Sequence, residues 1–410
     1  MPCYDHALCR PLLDLPRPVW LLGWVSLATD AASEAIYPLM PFFLTRVLGA
    51  GAVSLGLVEG AAEAVNSAIK ILAGRAADRA RFKRPLVLAG YALSSLVRPL
   101  IALAQSWVHV FTVRVIDRVG KGVRGAPRDA MLAGWTTDDN RGMVYGFHRA
   151  MDHAGAVVGP VVASLFLLVY PGEYRTLFAL AIVPGAVAVL LIFFVREREG
   201  PAPPTSADPL DGGSHQGGGP DPFDPRDGAA RPLPRRLKSY FLVLSLFTLG
   251  NSTDAFLLLK LTDVAGGVQY VPLMWAALHV VKAGFSVVGG TWSDRIGRRA
   301  VISIGWMVYA GVYIGFAVSD SLVPLLACFL AYGMYFGFTE GTEKALIADL
   351  APASRRGFAF GLHNAVTGLG ALAASVLFGV LWNAFGPSVA FGTGAALAVT
   401  ATVLLNLAIE

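Results

Sequence analysis

Apolar stretches long enough to cross a lipid bilayer recur along the whole chain. They fall near 19–44, 52–73, 85–105, 107–130, 142–169 and 174–195, and again near 239–262, 269–289, 299–318, 322–347, 356–383 and 387–408. About 20 helical residues cover roughly 30 Å of hydrocarbon. In lipid every backbone polar group must be satisfied internally, so such runs are helices. The expectation is an all-α membrane protein with twelve transmembrane helices in two six-helix bundles. Composition agrees: 55% of residues are hydrophobic and only 15% charged, where a soluble domain carries charge at about a quarter of its positions.

Between the two groups of spans the composition changes. Residues 197–237 are rich in Pro, Gly, Asp and Arg and hold no apolar run, which predicts a disordered linker. The expected organisation is a tail over 1–17, a bundle over 18–196, the linker, and a second bundle over 238–410. The first residues are polar and Pro-rich and the first apolar run is long, so no cleavable signal peptide is expected. Arg75, Arg84, Arg141, Arg196, Arg236, Lys238, Arg298 and Arg355 fall on one side of the spans, against little beyond Arg46 and Arg175 on the other. The positive-inside bias then puts both termini and the linker in the cytoplasm, in an inner (plasma) membrane. The net charge of +5 resides in these loops and does not mark a nucleic-acid partner. Cys3, Cys9 and Cys328 have neither zinc-ligand nor disulfide-framework spacing. Neither a nucleophile–base set nor a phosphate loop appears, so the chain is not expected to be an enzyme, and no cofactor is expected.

A short basic loop occurs once in each half. Gly74, Asp78 and Arg79 open a cluster continued by Arg81, Lys83 and Arg84, and Gly290, Asp294 and Arg295 open one continued by Arg298 and Arg299. A plain positive-inside loop accounts for the arginines but not for matched Gly and Asp. The pattern resembles the loop motif of the major facilitator superfamily of secondary transporters. The resemblance implies two six-helix repeats joined by a cytoplasmic linker, with Asp78 and Asp294 as latches on the cytoplasmic gate. A second match supports the repeat: Arg141-Gly-Met-Val-Tyr-Gly146-Phe-His148 aligns with Arg356-Gly-Phe-Ala-Phe-Gly361-Leu-His363 at nearly the same offset. On the fifth span Gly155, Gly159 and Pro160 resemble the antiporter motif of that superfamily, although Val161-Val162-Ala163-Ser164 replaces the glycines that usually follow.

Ionisable residues inside spans are costly and mark function by default, with interhelical ion pairs as the plainer reading. The first span carries Asp30 and Glu34 on one face. The second carries Glu59, Glu63, Asn66 and Lys70, a continuous polar stripe. On the fourth, Arg114 and Asp117 stand one turn apart, so each neutralises the other or a partner elsewhere. Arg114 looks like the proton-coupling arginine of drug/proton antiporters in the superfamily. The fifth holds His148 and Asp152, a carboxylate–imidazole pair suited to proton exchange, unless Asp152 serves an arginine. The second half offers Asp254, His279, Lys282, Glu340 and His363, with Glu343 and Lys344 placed near the cytoplasmic end as a latch. Proton chemistry is therefore expected mainly in the first half. Trp275, Trp306, Tyr309, Tyr313, Tyr332, Tyr335 and Phe336 are expected to pack or to shape a pocket.

These features, with the resemblance, point to a monomeric secondary transporter whose partners are a small-molecule substrate, protons and the bilayer. Export by antiport is the leading reading. Three alternatives stay open: a divalent-metal exporter using His148, His153, His279 and His363, a proton-coupled importer of a sugar or organic anion held by Arg114 and Lys282, and a non-transporting sensor or scaffold.

Overall fold

The structure is a computed structural model that describes residues 15–79, 83–135, 141–197, 233–352 and 356–408. The expected tail and linker fall largely outside the described residues. Among the described residues there is no strand.

The first half contains α1 (Arg17–Glu34), α2 (Ala52–Arg79), α3 (Arg84–Val97), α4 (Trp107–Ala133), α5 (Arg141–Val169), α6 (Tyr174–Leu180) and α7 (Ile182–Phe194). The second contains α8 (Arg235–Gly250), α9 (Ala255–Val264), α10 (Val271–Ile296), α11 (Arg298–Val318), α12 (Leu322–Leu350), α13 (Arg356–Phe385) and α14 (Pro387–Ala408). Helices α6 and α7 follow one another as a single rod, as do α8 and α9. Twelve rods result among the described residues, consistent with twelve spans. Nine of the described segments are long and apolar enough to cross a membrane by length and composition. The remaining rods, those of α1, α2 and α4, carry the inward-turned charges.

Prolines account for the irregular stretches. Beyond α1 the chain passes through a 3₁₀ turn at Tyr37–Leu39, a helical turn at Met40–Phe42 and a π turn at Phe43–Val47. Pro38 and Pro41 lack the N–H that an unbroken α-helix requires. Pro99 likewise converts the end of the third span to a 3₁₀ segment, Arg98–Leu103. The seventh span departs from the continuous helix expected over 239–262. It unwinds at Asn251–Asp254, where the chain has no helical assignment, and restarts at Ala255. The run Asn-Ser-Thr-Asp favours side-chain-capped turns over helix interior.

Packing repeats between the halves. In the first, α1 lies against α5 and α7, α2 against α4, and α3 against α4 and α7. In the second, α8 lies against α13 and α14, α10 against α12, and α11 against α12 and α14. The halves meet along two seams, α2 with α13 and α5 with α10. Small residues bring α2 and α13 close: a Cβ at Gly60 would stand 2.9 Å from Leu372 Cα, and one at Gly379 2.9 Å from Val53 Cα.

The amino end of α1 and the carboxyl end of α14 lie on one face of the bundle, the terminal face. Glu197, at the edge of the expected linker, is fixed there. Its carboxylate accepts from Lys83 N at 2.8 Å and from Arg84 N at 3.1 Å, capping the amino end of α3, where orphan N–H groups favour an anion.

Candidate functional site

Between the halves lies a cavity of about 560 Å³. Its first-half wall is Glu34 and Tyr37 from the first rod, Glu59, Glu63 and Asn66 from α2, and Lys121 from α4. The second half contributes Asp254 at the break between α8 and α9, Trp275, His279 and Lys282 from α10, Tyr332, Tyr335, Phe336, Glu340 and Glu343 from α12, and His363 from α13. The polar stripe of α2 thus faces the cavity rather than lipid. Its ends differ in charge. Glu34 and Asp254 stand deep within it, whereas Lys70 and Lys344, both exposed, stand toward the terminal face.

Hydrogen bonds set most of these side chains in place. Trp275 Nε1 donates to Glu34 Oε2 at 2.8 Å, and the Trp275 ring lies 5.1 Å from that of Tyr37. His279 Nε2 stands 4.0 Å from the same Glu34 oxygen. Tyr332 OH donates to Asp254 Oδ1 at 2.7 Å, and Asn251 Nδ2 donates to Tyr335 OH at 3.0 Å. Asn66 Nδ2 donates to Glu63 Oε1 at 3.2 Å. Lys282 pairs with Glu340 at 3.3 Å and stands 4.2 Å from the centre of the Phe336 ring, within reach of a cation–π contact.

The cavity is closed on the side away from the terminal face. Besides the α2–α13 seam and the Glu34–Trp275 contact, Ser164 Oγ donates to Gln269 O at 2.5 Å, joining α5 to the entry of α10. Arg46 and Asp263 pair at 2.5 Å across the halves at the outer rim.

The sequence profile of the Major Facilitator Superfamily matches residues 22–279 and 255–409 of this chain. The chain belongs to the major facilitator superfamily. It is 32% identical over 398 residues to an uncharacterized MFS-type transporter of Methanocaldococcus jannaschii, covering 96% of this chain and 95% of that one. It is 25% identical over 349 residues to the multidrug resistance protein MdtH of Edwardsiella ictaluri, covering 82% and 79%. The crystal structure of the nucleoside transporter NupG superposes with a TM-score of 0.75 at 13% identity, covering 96% of this chain and 100% of that one, a likeness of fold.

In this transporter the sequence-derived site residues divide into two groups. Glu34, Glu59, Glu63, Asn66, Asp254, His279, Lys282 and His363 line one cavity. Asp30, Arg114, Asp117, His148 and Asp152 are not part of its lining. Arg114 is held by Glu59 through two bonds, Nε to Oε1 at 3.1 Å and Nη2 to Oε2 at 2.5 Å, with both side chains buried. Asp117 pairs not with Arg114 but with Arg98 at 3.0 Å and Arg118 at 3.6 Å. Arg98 did not stand out in the sequence. Its signal was an arginine followed by proline inside an apolar run, and the 3₁₀ turn at Pro99 lets it reach both Asp117 and Thr29 O.

Asp152 sits at the α1–α5 contact, where Ser26 Oγ donates to it and His148 and Arg149 each approach to 3.7 Å. Gly155 and Gly159 make that contact possible. A Cβ at Gly155 would stand 3.0 Å from Asp30 Cβ, and one at Gly159 2.9 Å from Ala31 Cα. The motif residues therefore act here as helix spacers. Arg124 and Arg128 of α4 also have partners: Arg124 stands 4.3 Å from the Tyr91 ring centre, and Arg128 pairs with Asp129 at 3.0 Å. Glu343, expected to form a latch between helices, bonds across from α12 to α11. It is buried, and its Oε1 accepts from Trp306 Nε1 at 3.1 Å. Among the aromatics, Trp275, Tyr332, Tyr335 and Phe336 reach the cavity, while Trp306, Tyr309 and Tyr313 pack behind it.

Of the repeated loop motif, the backbone of Gly74–Arg79 completes α2 and that of Gly290–Arg295 runs within α10. The side chains of Asp78, Arg79 and Asp294, and the surroundings of Gly74, lie outside the described part of the structure. Arg295 is exposed in the last turn of α10. The four histidines are not gathered at one point. Among the described residues, no three His, Cys, Asp or Glu side chains are placed to hold a metal ion.

Proposed function

We propose that this transporter exports a small molecule in exchange for protons, with the two halves rocking about the central cavity. The observation that carries the reading is the cavity itself. It lies between the halves, is closed at one face, and is lined by carboxyls that aromatic and amide groups hold rather than cations: Glu34 with Trp275, Glu63 with Asn66, and Asp254 with Tyr332. Such groups can take up or release a proton without breaking an ion pair. Binding of substrate and binding of protons would then favour opposite facing states. With basic residues setting orientation, the terminal face is cytoplasmic and the state described is open inward. Trp275, Tyr335 and Phe336 supply flat apolar surface beside the acids, which suits a cargo with an aromatic or lipophilic body and a basic group. The multidrug resistance protein among the relatives points the same way.

Expression in an efflux-deficient bacterial host tests this. Wild type is expected to protect against lipophilic cations, and Glu34→Gln or Asp254→Asn to return growth to the empty-vector level at equal expression. Protection against divalent metals alone would replace the reading with metal export. No protection at all would put import or a narrow cargo first.

Alternating access has its own test at the outer rim. Arg46→Cys and Asp263→Cys, combined in a chain without Cys3, Cys9 and Cys328, place two thiols across the halves. A short bifunctional thiol reagent is expected to stop transport, and cleavage of the link to restore it. Unchanged transport by the cross-linked protein would show that the rim need not open.

A further inference from the structure

Four acids of the bundle have a cation against them. Glu59 has Arg114, Asp117 has Arg98, Asp152 has Arg149, and Glu340 has Lys282. Glu343, like Glu34, Glu63 and Asp254, is held by a neutral group, and of these four it is the one that is buried. Only 8% of its surface is exposed, it lines the cavity, and among the described residues its hydrogen bond is to a neutral donor, Trp306 Nε1 at 3.1 Å. Trp306 is itself fully buried on α11 and stacked on Phe247 of α8, ring centres 4.3 Å apart, so the donor is fixed before the acid arrives.

The groups around Glu343 supply no counter-charge in contact. On α12 itself, Glu340 is engaged with Lys282 of α10, and Lys344 is exposed with no ion pair among the described residues. Tyr335 of the same helix and Tyr240 of α8 are buried, uncharged and near enough to feel a charge on Glu343. From α13, His363 lines the same cavity. Isolated buried carboxylates are costly enough that such groups neutralise rather than remain charged. An indole N–H can only donate. It therefore bonds one oxygen in either charge state, the carbonyl oxygen when the carboxyl is neutral, and leaves the other oxygen free to exchange a proton with cavity water; burial without a contacting cation is what favours the neutral form.

We propose that Glu343 is a proton-carrying site of the second half, positioned by Trp306 and loaded in the state described. In the unloading step its O–H bond breaks and the proton passes to water in the cavity, leaving a carboxylate. That the site carries a proton stands on its surroundings alone. Its part in driving export rests on the proposed proton exchange.

Infrared difference spectroscopy on the full chain in lipid, recorded across a pH step in H₂O and D₂O, tests the site without needing a substrate. Wild type is expected to show the C=O stretch of a protonated carboxyl that shifts in D₂O. Glu343→Gln should remove one component while its amide oxygen still accepts from Trp306. Glu340→Gln, on the salt-bridged neighbour, should leave that component in place. Trp306→Phe should move its frequency, because the hydrogen bond to the carbonyl is lost. That shift identifies the component even if Glu343→Gln fails to fold. A spectrum in which neither Glu343→Gln nor Trp306→Phe alters any protonated-carboxyl band overturns the proposal. Proton uptake by vesicles, read with a trapped pH dye, separates the two ideas. If the band is assigned to Glu343 but wild type moves no protons with any cargo, the proton-exchange reading fails while the site stands.

Discussion

Glu59→Ala is expected to destabilise the folded transporter by about 3–5 kcal/mol, the usual cost of stripping one partner from a buried ion pair. Arg114 is held by both oxygens of Glu59, and the two side chains are only 5% and 4% exposed. The guanidinium also stands 5.5 Å from the Tyr37 ring centre, which cannot replace a full counter-charge. Removing the carboxylate leaves a delocalised cation that stays protonated with its counter-charge gone. Arg114→Ala should cost a similar amount, because Glu59 is then left unpaired. The double substitution Glu59→Leu with Arg114→Met should recover most of the loss, since apolar groups of similar volume often replace such pairs at little cost. Denaturant titration of the purified protein in detergent gives the three values, and their cycle gives the coupling. Single losses below about 1 kcal/mol would mean that water reaches the pair and that it behaves as a surface salt bridge. The exposed Arg46–Asp263 pair offers the contrast within one molecule: its loss should leave stability nearly unchanged.

The division between what the sequence reveals and what it conceals follows from the physics of helices. Hydropathy and length locate the spans because the bilayer sets both. The α2 stripe is legible because residues 59, 63, 66 and 70 share one helical face, and a polar face must find protein or water. Gly155 and Gly159 are legible as small residues at an interface. What periodicity cannot show is the neighbour. It assigns Arg114 to a face but not to Glu59, and it offers Asp117 a nearby arginine on its own helix while the structure gives it Arg98 from the third span. Depth along a helix is also a weak guide to exposure. Glu343 lies toward the terminal face by residue count, yet Trp306 and the packing of α11 against α12 bury it. Unwinding at Asn251–Asp254 was hidden by the apolar residues on either side, although four consecutive cap-forming residues were its signal. Lys70, at the end of the α2 stripe, lines the cavity with Arg118 and Lys121 of α4.

Gly60→Leu is expected to abolish transport by forcing the α2–α13 seam apart. The added Cβ would stand 2.9 Å from Leu372 Cα, a backbone atom that cannot turn aside. Gly56, one turn earlier on α2, already lies against the backbone of Ser375, so the seam has no slack nearby to absorb the extra volume. Overpacking of this kind typically costs about 1–3 kcal/mol, and each 1.4 kcal/mol or so is about tenfold in an equilibrium. The cost falls only on the state in which this seam is closed. The substitution therefore moves the population toward the state open on the face opposite the terminal face, about tenfold or more. Thr367→Cys, which lines the cavity, in a chain without Cys3, Cys9 and Cys328, reports the shift. An impermeant maleimide applied to that face should label it about tenfold faster when Gly60→Leu is present. Gly311→Leu is the control, because a Cβ there meets no atom within 4 Å. Equal labelling rates in the Gly60→Leu chain and its parent, with transport intact, would show that closure on that face is held elsewhere, at Ser164–Gln269 and Glu34–Trp275, and that α2 and α13 slide without separating.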